Sequence, residues 1–139
     1  MALAIPLSAH GDVTDSDTIV WKHTRSTPYV PSPIVVGDQI YFTASNSSVL
    51  TSLDLTSGKP VFGPVRLEDL GNVYASPVAT KDRIYFTGRD GTTVVIRPGK
   101  TLEVLATNRL GEPVDASPAI VRNRIYIRSA SSLYCLEEE

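Results

Sequence analysis

A phrase of strand-forming residues occurs three times in the chain, and this repeat constrains the fold more than any other feature. Each copy has Ser-Pro, an apolar run, a polar turn and a second apolar run with aromatic residues, at 32–43, 76–87 and 117–128. The Ser-Pro and the Ile-Tyr are eight residues apart in every copy (32 to 40, 76 to 84, 117 to 125), and successive copies begin 44 and 41 residues apart. Such a period is typical of stacked supersecondary units. We therefore expect one sheet motif to repeat along the chain.

The first unit, residues 28–66, has the pattern of a four-stranded antiparallel meander. Its predicted strands are 33–36, 39–44, 49–55 and 60–66, separated by Gly-, Asn- and Ser-containing turns. Alternation along the second strand places Ile40 and Phe42 on one face and Tyr41 on the other. The fourth strand contains prolines, which cannot donate to a ladder, so it belongs at an edge.

The second and third units, residues 72–107 and 113–136, follow the same plan. Strands are predicted at 77–80, 83–87, 92–97 and 102–107 in the second unit, and at 118–121, 124–128 and 133–136 in the third. The third unit has no fourth strand of its own. No segment shows the apolar spacing of an amphipathic helix, so no helix longer than a turn is expected.

A strand-like segment at residues 18–24 precedes the first unit, where the fourth strand of a preceding unit would lie. Residues 1–17 are predicted to be an irregular arm. The chain thus contains enough predicted strands for three four-stranded sheets. Segment 18–24 would be the fourth strand of a sheet whose first three strands are not beside it in sequence, and the third unit has three strands. Four-stranded sheets that repeat at about 40–45 residues are typical of a β-propeller, whose blades pack around an axis. The predicted fold class is all-β, with three propeller blades per chain.

One stretch carries a resemblance to a known family. Residues 52–62, Ser-Leu-Asp-Leu-Thr-Ser-Gly-Lys-Pro-Val-Phe, resemble the blade motif of PQQ-like (quinoprotein-type) propellers, a repeat also used by outer-membrane assembly lipoproteins and alcohol dehydrogenases. Phe62 takes the position of the family's Trp, and Trp21 fits that position in segment 18–24. The resemblance covers residues 18–136, and residues 96–100 of the second unit depart from the motif.

The resemblance implies a larger ring, because family propellers close with about eight blades and three blades cannot close. The chain is therefore either a piece of a larger propeller or a subunit that associates head to tail, with segment 18–24 beside the last strand of a neighbour. Two chains would give six blades, within the usual range of about 4 to 8. We expect a homodimer. The family also implies a periplasmic or other extracytoplasmic location, although residues 1–9 lack the positive start of a signal peptide.

Composition excludes several classes of partner. The chain has 13 basic and 15 acidic residues and a net charge of -2, without the basic excess that phosphate binding requires, so nucleic acid is not expected. No apolar run approaches the roughly 20 residues of a membrane helix. The single cysteine, Cys135, is predicted to be a small buried apolar residue rather than a nucleophile.

Propeller topology brings the segments before each Ser-Pro to the same end of the blades as the loops after each second strand. These segments supply the candidate binding residues for a ligand or a protein partner: Tyr29, Asn72, Tyr74, Arg89, Asp90 and Asp115, with Val30, Asn46 and Arg128 nearby in the topology. Val30, Tyr74 and Asp115 share one position of the repeat, at the predicted channel mouth. The alternative, which the pattern favours, is that these residues are solvated loops and contacts between blades.

The sequence predicts no catalytic or metal-binding group. Paired carboxylates or a cation site could be formed by Asp90, Glu112 and Asp115. A sequence, however, shows neither the distance between carboxylates that acid–base catalysis needs nor the number of oxygen ligands that a cation needs. His10 and His23 are far apart and have no ligand partner at zinc spacing. The register of Tyr41, Phe42 and their counterparts favours packing between blades over ligand stacking.

The function predicted from these patterns is a non-catalytic module for protein interaction or scaffolding that associates with itself, without a cofactor. The alternatives are a fragment of a PQQ-dependent dehydrogenase and a propeller that binds a small ligand. The chain lacks the adjacent cysteines and the Glu/Asn/Asp set that calcium beside the quinone requires in such dehydrogenases. Visible absorption after addition of PQQ and calcium would distinguish these possibilities.

Overall fold

The computed structural model of the chain describes residues 1–14 and 16–137. Throughout these residues the structure is all-β, as predicted, and no apolar helix of membrane-spanning length occurs in them. The strands are β1 (Ala2–Ala4), β2 (Trp21–His23), β3 (Ile34–Val36), β4 (Gln39–Thr43), β5 (Val49–Asp54), β6 (Pro60–Arg66), β7 (Val78–Ala79), β8 (Ile84–Thr87), β9 (Thr92–Ile96), β10 (Val104–Arg109), β11 (Ala119–Val121), β12 (Arg124–Arg128) and β13 (Leu133–Glu137).

Three antiparallel meanders form the body of the structure. Blade 1 has the order β3-β4-β5-β6, blade 2 has β7-β8-β9-β10, and blade 3 has only β11-β12-β13. The predicted repeat of four-stranded sheets is confirmed, and so is the shortened third unit. Within the described residues the sheets do not close into a ring, as expected for a partial propeller.

The prediction for the N-terminal segment is wrong in two respects. Residues 2–4 form strand β1 instead of belonging wholly to an irregular arm, and β1 gives β2 an antiparallel partner within the chain. Ala2 lies opposite His23 and Ala4 opposite Trp21. The small side chains of Ala2 and Ala4 pack against the cluster of Trp21 and Phe42, so burial of apolar surface orders this segment.

Blades 1 and 2 pack face to face through the main hydrophobic core. From blade 1, Tyr41 and Leu50 are fully buried, and Ile84 and Phe86 of blade 2 meet them. The Tyr41 hydroxyl also accepts a hydrogen bond of 3.0 Å from the backbone N–H of Gly99 in blade 2. The predicted packing of the Ile-Tyr strands between blades is thus confirmed at this interface.

The Ser-Pro motif connects consecutive blades by hydrogen bonds. The backbone N–H of Ser32 donates to Oγ of Ser76 at 2.9 Å, and the N–H of Ser76 donates to Oγ of Ser117 at the same distance. Ser76 and Ser117 therefore each accept from the blade before them, and Ser32 and Ser76 each donate to the blade after them. A hydroxyl at this position satisfies a backbone donor that no strand ladder reaches.

The segments between blades reinforce this connection. The N–H of Val73 donates to the Asn46 carbonyl in blade 1, and the N–H of Val114 donates to the Arg89 carbonyl in blade 2, at 2.9 and 3.1 Å. Both valines have no exposed surface. Apolar side chains at this position anchor each connecting segment against the preceding blade.

Cys135 is exposed, so its predicted burial is wrong. Its strand β13 lies on the last sheet, and its side of that sheet is not covered by a fourth blade within the described residues. The residues at the corresponding positions, Ser52 and Val95, are buried because blades 2 and 3 follow them. The prediction depended on a neighbouring blade that blade 3 does not have.

Trp21 holds the β1–β2 pair against blade 1. Its indole Nε1–H donates to the Leu55 carbonyl at 2.9 Å, and its ring lies over Gly58 in the β5–β6 turn. A Cβ added to Gly58 would lie 2.5 Å from Cδ2 of Trp21. Gly58 also has a φ of +66°, so both space and backbone conformation require glycine here.

Replacing Gly58 by alanine therefore tests the Trp21 contact, with Gly37→Ala as the matched control. Gly37 has a φ of +62° and no atom near the added Cβ, so Gly37→Ala measures the left-handed backbone alone, about 1–2 kcal/mol. We expect Gly58→Ala to lower the free energy of unfolding by at least about 1 kcal/mol more, because the ring must move. Urea denaturation of both variants gives the comparison. Equal losses would contradict the contact.

Candidate binding site on the loop face

The predicted loop face exists as one end of the blades, defined here by the loops 44–48, 88–91 and 129–132 and the segments 27–30, 72–74 and 112–115. One backbone hydrogen bond recurs within each blade. The N–H groups of residues 45, 89 and 130 donate to the carbonyls of residues 27, 72 and 113, at 2.7–2.9 Å. These bonds hold each loop beside the segment that precedes its blade's first strand.

Three of the predicted site residues come together where blades 2 and 3 meet. Arg89 forms a two-point ion pair with Asp115, with Nε 2.6 Å from Oδ1 and Nη2 3.1 Å from Oδ2. The guanidinium also lies 4.2 Å from the centre of the Tyr74 ring. Arg89 lowers the pKa of Asp115 by donating these hydrogen bonds, and Asp115 raises the pKa of Arg89 in turn.

The remaining predicted residues do not join this group. Asp90 accepts hydrogen bonds from the backbone N–H and the hydroxyl of Thr92, both at 3.0 Å, and so shapes its own turn. Asn72 contributes its backbone carbonyl, which accepts from the N–H of Arg89. Tyr29 lies apart on blade 1 with 81% of its surface exposed. The structure thus assembles Tyr74, Arg89 and Asp115 and leaves the other three at separate places on the loop face.

The electrostatics of the Tyr74–Arg89–Asp115 group favour a structural role. The side chains of Arg89 and Asp115 are about half exposed, so water screens the attraction between their charges. Because the two charges satisfy each other, the group offers a ligand little unpaired charge. It joins blades 2 and 3 on the loop face.

A second polar group, centred on Glu112, was not predicted as a unit. Glu112 Oε2 accepts hydrogen bonds from the hydroxyls of Ser129 and Ser131 at 2.5 and 2.6 Å, and Oε1 accepts from the Tyr134 hydroxyl at 3.0 Å. These donors lower the pKa of Glu112 to about 2. The serine-rich loop of blade 3 was the available signal, but the sequence does not show that this loop faces Glu112 rather than solvent.

Glu112 also lies against Gly91, a position that only glycine can occupy. Gly91, with a φ of +82°, passes so close to the Glu112 carbonyl oxygen that an added Cβ would overlap it. The carboxylate and the backbone of Glu112 therefore hold the loops of two blades together. No three His, Cys, Asp or Glu side chains of residues 1–14 and 16–137 lie close enough to hold a metal ion, so Glu112, Asp90 and Asp115 do not form the cation site that their proximity in sequence suggested.

Replacing Glu112 by glutamine should lower the midpoint of thermal unfolding at pH 7. The hydrogen bonds to the carboxylate are fully available above its ordinary pKa of 4.5 and are lost as the pH falls toward about 2. The difference between wild type and Glu112→Gln should therefore be constant from pH 7 to about pH 5 and should narrow at lower pH. Glu68→Gln, at an exposed site, is the control for replacing a carboxylate by an amide. A constant difference down to pH 3 would contradict this role of Glu112.

Comparison with known proteins shows that this chain is similar to solved structures. The crystal structure of BamB from Moraxella catarrhalis matches this chain with a TM-score of 0.65 and 23% sequence identity. The match covers 88% of this chain and 37% of that chain, so this chain spans little more than a third of the BamB structure. No protein-family model and no curated protein sequence matches the chain. The similarity establishes the fold: the chain consists of β-propeller blades in an unclosed arrangement.

Proposed function

We propose that this chain is a non-catalytic, PQQ-like β-propeller module that binds protein, and that its first partner is a second copy of itself. The observation that carries the proposal is a difference between equivalent positions of the blades. Leu133 in β13 is 72% exposed, whereas its counterparts Leu50 and Thr93 are 0% and 6% exposed. Blade 3 therefore presents to solvent a face that the other two blades bury.

Blade 1, at the opposite end of the chain, also has an exposed face, on the side where a preceding blade would lie. Tyr29 occupies the repeat position of Val73 and Val114, three residues before the Ser-Pro serine, and is exposed where they are buried. Val35 of β3 is also half exposed on this side. The β1–β2 pair covers blade 1 around Phe42 and Leu53, and the region near Tyr29 is left open.

The two open faces are the two halves of one interface between blades. A head-to-tail contact would cover Leu133 of one chain and Tyr29 of the next, and two chains would close six blades. In that ring β13 of the neighbour would take the place of β1 beside β2. Displacing β1 costs little free energy, since β1 has three residues and contributes mainly Ala2 and Ala4 to the packing.

The same proposal includes the loop face as a secondary contact surface and an extracytoplasmic location. Tyr29, Asn72 and Asp90 offer exposed or loop-borne groups there, beside the Arg89–Asp115 pair. The resemblance to PQQ-like repeats of outer-membrane assembly lipoproteins supports the location. The similarity to BamB supports the fold on which both depend.

Light scattering of Leu133→Lys and of wild type tests the self-association. At micromolar concentration we expect wild type to have twice the mass of one chain and Leu133→Lys to have the mass of one chain, because a buried charge without a partner is strongly unfavourable. Leu7→Lys is the control for adding a lysine in place of an exposed leucine, since Leu7 is fully exposed. A monomeric wild type would overturn the homodimer.

A further inference from the structure

A cleft of about 910 Å³ opens between blades 2 and 3, on the side of blade 3 opposite to Leu133. Its walls include Tyr85, Val95 and Ala106 from blade 2 and Ile125 and Leu136 from blade 3. The corresponding space between blades 1 and 2 is filled by the main hydrophobic core. A cleft of this volume lies within the range of ligand-binding pockets, roughly 300–1,000 Å³.

The cleft results from one change in the repeat. In blade 1, Tyr41, Ser52 and Phe62 lie directly opposite one another across β4, β5 and β6. The Phe62 ring lies 6.2 Å from the Tyr41 ring and packs on the core toward blade 2. The equivalent row in blade 2 is Tyr85, Val95 and Ala106. Alanine thus stands where blade 1 has its aromatic residue.

The neighbouring row widens the same space. Thr43, Leu50 and Val65 form this row in blade 1, and Thr87, Thr93 and Asn108 form it in blade 2. The hydroxyls of Thr87 and Thr93 bond to each other at 3.0 Å. Asn108 replaces the apolar Val65 and lines the cleft beside Ala106. Blade 2 therefore offers blade 3 a smaller and more polar surface than blade 1 offers blade 2.

Charged side chains of both signs line this apolar space. The lining contains four guanidinium groups and two carboxylates: Arg83, Arg97, Arg122 and Arg124, with Asp82 and Glu137. Arg97 pairs with Glu103 at 3.0 Å and Arg124 with Glu137 at 2.9 Å. Arg122 forms no ion pair within the described part of the chain. Arg122 thus gives the cleft a positive charge that no carboxylate of the described residues neutralises, and this charge favours an anionic occupant.

We propose that this cleft binds an extended acidic peptide segment of another protein, which places one aromatic side chain beside Ala106. The fold itself shows which side chain fits, because Trp21 fills the equivalent position against blade 1 and Phe62 fills it against blade 2. Asn108 and Asn123, which line the cleft, can bind peptide groups, and Arg122 can bind a carboxylate. A single aromatic anchor in such a pocket is the usual centre of a binding interface.

This site is independent of the proposed self-association, since the cleft lies between two blades of one chain. Its failure is therefore distinguishable from failure of the homodimer, which light scattering measures separately. The probe is a short, fluorescently labelled, acetylated peptide with one phenylalanine between aspartates. Fluorescence anisotropy measures its binding to the full chain.

We expect saturable binding by wild type and a loss of at least about tenfold in affinity in two variants. Ala106→Phe fills the anchor position, and Arg122→Glu reverses the charge at the rim. Val104→Phe, on the same strand but outside the cleft, and Lys100→Glu, in the exposed β9–β10 turn, are the matched controls and should bind as wild type does. Thermal unfolding of Ala106→Phe should show a midpoint no lower than that of wild type, since phenylalanine restores the arrangement of blade 1.

Two further peptides complete the test. Replacing the phenylalanine of the peptide by alanine, or its aspartates by asparagines, should each weaken binding at least about tenfold. Absence of saturable binding by wild type would overturn the proposal. So would unchanged binding by a folded Ala106→Phe, or equal binding of the peptide without phenylalanine, because both would show that no aromatic anchor occupies the cleft.

Discussion

The structure depends on one constraint: a propeller blade is apolar on both faces, so each blade needs a neighbour on both sides. Tyr41 and Leu50 show the energetic weight of this constraint, because burying a side chain of that kind contributes roughly 1.5–3 kcal/mol. The ion pairs between blades are exposed, so water screens them and they add little to stability. Apolar contact between blades therefore sets stability, and the Ser32–Ser76–Ser117 hydrogen bonds set the register in which the blades meet.

Packing weakens along the chain from blade 1 to blade 3. The first interface has Phe62 and Val65 on its outer side, and the second has Ala106 and Asn108 at the same positions. Next to the first strand of each blade, by contrast, both interfaces keep the buried valine and the serine bond, so blade 3 remains attached there. The polar groups of Glu112 and Arg89 add to this attachment. The second interface is thus closed toward the loop face and open beside strand β10.

The sequence predicts the strands well, because alternation and turn residues act locally. Strands 60–66 and 124–128 have the bounds that the structure shows, and the absence of a fourth strand in the third unit was visible. Contacts between residues far apart in the chain could not be predicted from the sequence. The β1–β2 pairing and the exposure of Cys135 depend on which surface lies opposite a residue. For the candidate site, proximity on the loop face was predictable, whereas the Arg89–Asp115 pair and the hydroxyls around Glu112 required side-chain positions.

The uncovered faces of the blades are better suited to the proposed protein contacts than the loop face is. On the loop face, Arg89 and Glu112 already have partners in the chain, so a ligand there would have to replace bonds that exist. On the open side of blade 3, Leu133 has lost the cover that its counterparts retain, and any apolar partner would restore it. In the cleft, Ala106 leaves a space that the repeat elsewhere fills with an aromatic ring. Each of these two surfaces arises where one repeat lacks a group that the other repeats have. A partner that supplies the missing group would fit the surface.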